Sequence, residues 1–97
     1  MTATCTHADT VDLDVAPEPP VGEDGRRACG DCLAEGTRWV HLRLCTSCGR
    51  VGCCDSSPRR HATAHSRGSR HPVVRSFEPG EDWLWCYVDA TTDVPAP

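Results

Sequence analysis

The groups in this 97-residue sequence that can do chemistry are its eight cysteines and five histidines. Cys29-Gly30-Asp31-Cys32 and Cys45-Thr46-Ser47-Cys48-Gly49 form two CxxC knuckles, with twelve residues between the facing cysteines. Two residues between thiolates let one tight turn present both sulfurs to one ion, and Gly49 permits the positive φ that such turns often need. A single CxxC could equally be a redox pair. Two of them, followed by Cys53, His61, His65 and His71, point to zinc, because these eight ligands fill two tetrahedral sites with nothing missing. His61 and His65 stand at i, i+4 and so face the same way on a helix. Spacing alone leaves the pairing open: the two histidines can bind one ion together or serve one ion each.

An even number of cysteines also suits a disulfide scaffold. The interleaved histidines count against that reading, as does the absence of an export-signal pattern, since Met1 to Asp14 is polar and acidic. No run approaches the roughly 20 apolar residues of a membrane span. The expected location is therefore the cytoplasm, where thiols stay reduced and paired cysteines usually mean metal.

The elements that must position these ligands have little apolar material to work with. Hydrophobic residues make up 38% of the chain, but that figure includes the cysteines, and there is one Phe and one Met. A single domain of this size and composition needs staples. All ten basic residues are arginines, lying between Arg26 and Arg75 and opposed there only by Asp31, Glu35 and Asp55. The other acids lie on either side, and the net charge is −4. The arginines are either a solvated face or an anionic ligand site. An acidic total and the lack of a lysine stripe argue against nucleic acid.

The chain divides into an arm over residues 1–7, an acidic, Pro- and Gly-rich exposed loop over 8–27, a folded core over 28–89 and a frayed tail over 90–97. Val40, Leu42 and Leu44 alternate with Trp39, His41 and Arg43, which predicts a half-buried strand over Thr37–Leu44. Ser57-Pro58 reads as a helix start, giving a helix from Pro58 to about Ser66 that Gly68 ends. Further strands are expected over Pro72–Phe77 and Trp83–Val88, joined by a Glu78-Pro79-Gly80-Glu81 turn. In the last strand Trp83, Trp85 and Tyr87 share one face. The fold class is a small zinc-stabilised α+β domain: a short antiparallel sheet, one main helix and zinc knuckles.

The run from Cys29 to Asp89 resembles the UBP-type zinc finger, a ubiquitin-recognising module of many deubiquitinases and of one cytoplasmic deacetylase. The resemblance rests on the CxxC, Trp39, the CxxCG, Cys53 five residues on, His61-x-x-x-His65, His71 and the closing Trp85-Cys86-Tyr87. The segments GCCDSSPRRHATAH and SFEPGEDWLWCYVD look like short, stand-alone bacterial versions of the domain. The family pattern implies interleaved sites: Cys29, Cys32, Cys53 and His61 on one zinc, and Cys45, Cys48, His65 and His71 on another. Three-zinc members also use an N-terminal CxH and a C-terminal CxxC. Cys5-Thr6-His7 matches the first, and Cys86-Tyr87-Val88-Asp89 matches the second with Asp89 in place of the last cysteine. This implies a third zinc held by Cys5, His7, Cys86 and Asp89, carboxylate oxygen being an acceptable ligand. Cys54 is the alternative to Cys53 as ligand, and the distance from Cys48 favours Cys53. His41 is expected to be a surface or packing residue.

Each proposed ligand set saturates its ion, whereas a catalytic zinc keeps one position open. There is no HExxH and no glutamate beside a ligand histidine, so the reading is a binding module and not an enzyme. In the family a pocket captures the free C-terminal Gly-Gly tail of ubiquitin. The resemblance thus implies a peptide or small protein with a free C-terminus as partner; charge and hydropathy speak against nucleic acid and membrane, and the sequence favours a monomer without fixing the oligomeric state. The expected pocket residues are Trp39, Trp85 and Tyr87 with Arg59 as the cation, Arg50 and Arg60 being its alternatives, although the aromatics also suit a core. The chain departs from the family at one point. Many ubiquitin-binding members read Cys-Gly-Arg at the third knuckle, where the Arg contacts the tail; here the residues are Cys53-Cys54-Asp55, and an acid there repels a carboxylate. Two alternatives therefore stand beside tail binding: a purely structural or zinc-holding protein, and a thiol-based metal or redox switch using Cys54.

Overall fold

A computed structural model describes residues 5–17 and 27–94. The descending chain contributes α1 (Gly30–Glu35), β1 (Leu42–Cys45), β2 (Val51–Cys53), α2 (His61–Ser69), β3 (Val73–Ser76) and β4 (Leu84–Cys86), preceded by a 3₁₀ turn at Ala8–Thr10. The four strands form one antiparallel sheet in the order β2-β1-β3-β4. Leu42 stands opposite Cys53 and Leu44 opposite Val51, which aligns the buried positions of the β1–β2 hairpin on one side. Among the described residues no helix is long and apolar enough to cross a membrane.

Two small apolar clusters result. The first gathers Leu42, Leu44, Val51 and Phe77 around Cys29, Cys32 and Cys53. The second gathers Val11 and Val73 around Cys5 and Cys86. Cysteine is part of the core in both, as the shortage of large apolar side chains requires. α2 packs closely on the hairpin because Gly52 has no side chain: a Cβ there would lie 2.7 Å from the backbone nitrogen of Ala62.

Several elements differ from the sequence-based expectation. α2 begins at His61, three residues later than the Ser57-Pro58 signal predicts, and runs through Gly68 to Ser69, with Arg70 as its C-cap. Ser57 does not cap it; its buried hydroxyl accepts from the Val40 N–H at 2.8 Å and so ties the loop before the helix to the approach to β1. Arg60 and Arg70, at the two ends of α2, take left-handed backbone angles with φ of 47° and 59°. Each immediately precedes a histidine, His61 and His71. β1 is shorter than expected, because Ser57 takes the Val40 N–H and the Glu78 carboxylate takes the Leu42 N–H at 2.8 Å. Val40 is accordingly 52% exposed. The Glu78–Glu81 turn is present, closed by Glu81 N–H to the Glu78 carbonyl at 3.1 Å.

α1 and β2 were not expected as elements. α1 starts directly on the first knuckle, capped by the Cys29 sulfur, and closes at Gly36 in the left-handed region. The described part of the acidic loop is exposed over residues 12–14, 16 and 17 but anchored beside them: Val11 is buried and the Asp12 N–H donates to the Thr46 carbonyl at 2.9 Å. The tail is docked through Asp93, where a frayed end was expected. Thr91 bridges to Cys86, and the Asp93 carbonyl accepts from the Cys5 N–H at 2.8 Å.

Candidate metal centres and an adjoining cavity

Among the described residues three groups of ligand-type side chains converge, each with its donor atoms within 4.8 Å of one another. They are Cys29, Cys32, Cys53 and His61; Cys45, Cys48, His65 and His71; and Cys5, His7, Cys86 and Asp89. The first set draws on the entry to α1, the end of β2 and the first residue of α2. The second takes Cys45 from the end of β1, Cys48 from the hairpin turn, His65 one helical turn beyond His61, and His71 just past α2. The third closes the N-terminal arm on the end of β4 and the turn after it.

The distances test whether these groups suit a tetrahedral ion. Zn–S near 2.3 Å and Zn–N near 2.0 Å place sulfurs about 3.8 Å apart and sulfur about 3.5 Å from nitrogen. In the first set Cys32 Sγ lies 3.8 Å from Cys53 Sγ, and His61 Nδ1 lies 3.3, 3.3 and 3.4 Å from the sulfurs of Cys29, Cys32 and Cys53. In the second, Cys45 Sγ is 3.4 Å from His71 Nδ1 and Cys48 Sγ is 3.3 Å from His65 Nε2. In the third, His7 Nδ1 lies 3.1 Å from Asp89 Oδ2 and 3.5 Å from Cys86 Sγ. All three sets fit the edges of such a tetrahedron, and a structural zinc at each would cross-link segments the thin core cannot hold alone.

Backbone and side-chain partners support the ligands. N–H groups of Cys32, His61 and Asp89 point at the sulfurs of Cys29, Cys53 and Cys86 at 3.5, 3.1 and 3.5 Å, favouring thiolate. His61 Nε2 donates to the Glu35 carboxylate at 2.8 Å, leaving Nδ1 for the cluster. Glu35 in turn accepts from Arg59 Nε at 2.9 Å, and the His61 contact holds its carboxyl below the usual range. Arg50 clasps Asp31 with one nitrogen 2.6 and 2.8 Å from the two oxygens, linking the second knuckle to the first. Sequence reasoning missed Glu35, whose partner lies 26 residues away.

Burial pushes the Cys29 thiol up to about 12 and the Cys5 thiol up to about 11, with neighbouring thiols adding to the effect. Burial likewise raises Cys45 and Cys53. As bare thiols these groups stay protonated at neutral pH, so holding them together as thiolates takes a cation. The Asp89 carboxyl is held down chiefly by the Thr6 N–H, which donates to it at 2.8 Å.

Cys54 stands apart from the clusters. Its side chain is 4% exposed, with Sγ 3.5 Å from the Ser57 hydroxyl. Burial pushes this thiol up, but hydrogen bonds with Ser57, His41 and Ser56 and the Arg43 charge outweigh it and leave it lowered. Cys54 lines a cavity of about 450 Å³ together with Trp83, Trp85, Tyr87, Arg43 and Asp55. The three aromatics thus share a face, as their alternation predicts.

The four expected pocket residues are not brought together. Trp85 and Tyr87 line this cavity, Trp39 lines another beside Phe77 and Pro79, and Arg59 is held by Glu35. The cause is the way β1 is placed: Arg43, not Trp39, projects from the strand over Trp83, with its guanidinium carbon 4.5 Å from the ring centroid. Arg50 is spoken for as well, by Asp31.

Comparison with known proteins agrees with this architecture. No curated protein matches the chain. The solution NMR structure of a Rhodopseudomonas palustris protein is similar, with a TM-score of 0.72 and 39% identity over 100% of this chain and 91% of that one. The family model described as the Zn-finger in ubiquitin-hydrolases and other proteins matches residues 29–93. That span holds the two internal ligand sets and the aromatic strand, and the chain belongs to the UBP-type zinc-finger family as a small zinc-binding module.

Proposed function

We propose that the protein is a non-catalytic binding module that carries three structural zinc ions and captures the C-terminal tail of a peptide or small protein in its aromatic cavity. The observation that carries this reading is the cavity itself. Trp83, Trp85 and Tyr87 supply apolar walls, and Arg43 supplies a cation suited to a terminal carboxylate. Every ligand set has four protein donors, which leaves no coordination position for water or substrate and supports a structural role for each ion. The placing of all cysteines but Cys54 in ligand sets suits a reducing compartment, in keeping with the cytoplasm.

The test is a titration of zinc-loaded protein with peptides ending in Gly-Gly, as free acid and as C-terminal amide, followed through backbone amide and Trp indole NMR signals. Shifts at Arg43, Trp85 and Tyr87 with the acid alone are expected. Equal shifts with acid and amide would show that no carboxylate is read, and would overturn tail capture.

A further inference from the structure

α2 carries three residues that its own packing does not call for. Gly68 stands inside the helix, where glycine weakens it, yet its φ is not left-handed and a Cβ there would meet nothing within 4 Å. Arg60 and Arg70 take left-handed angles at the two ends. The histidines beside them need the bend, but asparagine or glycine would make it with less strain than arginine. Local choices that run against the fold's own stability mark places where something else is being served. These positions share the outer side of α2. Arg60, Ala64, Arg67 and Gly68 are spaced to lie on one side of the helix, and all four are exposed, as is Arg70 at its end. Among the described residues Arg60, Arg67 and Arg70 form no ion pair and no side-chain hydrogen bond, whereas Arg59 is held by Glu35. α2 itself contains no acid.

We propose that the outer side of α2 is a second binding surface, which docks a short acidic segment of a partner protein. The unpaired guanidiniums supply planar forks that pair with carboxylates through two hydrogen bonds at once. Ala64 and Gly68, small and open to solvent, let the backbone of the segment lie close between them. Arg60 to Arg70 spans about 15 Å along the helix axis, the length of roughly five residues of extended chain. Charge chooses a protein segment over nucleic acid. The net charge is −4, and exposed Asp12, Asp14, Glu81 and Asp82 would repel a polyanion that ran on beyond the patch. No residue of α2 lines the aromatic cavity, so this surface stands whether or not a C-terminal tail is captured there.

The test uses zinc-loaded full-length protein and two acetylated pentapeptide amides, one of glutamate and one of glutamine, followed through backbone amide NMR signals. The blocked C-terminus keeps the aromatic cavity out of the measurement. The glutamate peptide is expected to shift the amides of Arg60, Ala64, Arg67, Gly68 and Arg70, and the glutamine peptide to leave them in place. The difference should fade at about 0.5 M salt, where the screening length falls to roughly 4 Å. Arg67→Gln combined with Arg70→Asn should weaken the glutamate peptide about fivefold or more, Asn being at ease with left-handed angles. Gly68→Ala should raise the denaturation midpoint and keep binding, whereas Gly68→Leu should keep the fold and obstruct the surface. Zinc content and the amide spectrum confirm that each variant is folded. No shift on α2, or equal shifts with both peptides, overturns the acidic docking surface. A thymidine pentanucleotide that binds α2 more tightly than the glutamate peptide overturns the choice of a protein partner.

Discussion

The internal cluster of Cys29, Cys32, Cys53 and His61 and the terminal cluster of Cys5, His7, Cys86 and Asp89 have the same outline but are held differently. In the first, all three sulfurs are fully buried and the His61 side chain is 11% exposed. Each of its ligands sits on or beside a helix or strand that also contacts the core, and Glu35 orients the imidazole. In the second, His7 and Asp89 are 29% and 23% exposed, one ligand is a carboxylate, and half the set comes from an arm with a single 3₁₀ turn. The internal cluster organises the sheet and helices; the terminal one fastens an arm to a fold that already exists.

The most damaging challenge to that comparison is to remove an internal ligand. Cys32→Ser should lose an ion worth on the order of 10 kcal/mol of folding free energy, and with it the dispersed amide spectrum. A chelator added to the intact protein should do the same. If the spectrum survives either treatment, the internal site does not organise the fold. Cys5→Ser should be milder: one zinc equivalent fewer by metal analysis, faster amide exchange over residues 5–17, and the sheet intact. Should this variant unfold as Cys32→Ser does, the two clusters are not different in kind.

Glu35→Gln sharpens the contrast further. It exchanges the charged partner of His61 for a neutral one and should weaken zinc at the internal site by about 10- to 100-fold in a competitive chelator titration, leaving the terminal site unchanged. Protons report the same difference. A cysteine ordinarily keeps its proton at pH 7, so an indicator dye should register about three protons released per ion at the internal site, which has three thiols, and about two at the terminal one, which has two. The smallest effect expected is a gain: Arg60→Asn places a residue tolerant of left-handed angles at φ 47° and should stabilise the protein by about 0.5–1 kcal/mol in denaturant melts. A loss instead would mean that the Arg60 side chain contributes to the fold.

The ligands were legible in the sequence because cysteine and histidine declare their chemistry and CxxC spacing is local. Their pairing was not, and came from the family resemblance, since His61 and His65 suit either arrangement on a helix. The start of α2 was misread because Ser57-Pro58 carries a genuine cap signal, yet the Ser57 hydroxyl is spent on Val40. β2, with three residues, is too short for any periodicity to show, and α1 is hidden inside a knuckle. Arg43 was readable as facing away from Leu42 and Leu44, but not as standing over Trp83, because that contact depends on how β3 and β4 join the sheet. Short elements held by metal leave their order in the ligands and little of it in hydrophobic rhythm.

α2 has nine residues, fewer than a helix needs to persist unaided in water, and its His61 and His65 belong to different clusters. Whichever ion arrives first winds the turn that presents the other histidine, so the second ion meets a ligand already in position. Loading of the two clusters that share α2 is therefore expected to be cooperative: at half-saturation the population should divide between empty and doubly filled molecules, with few holding a single ion.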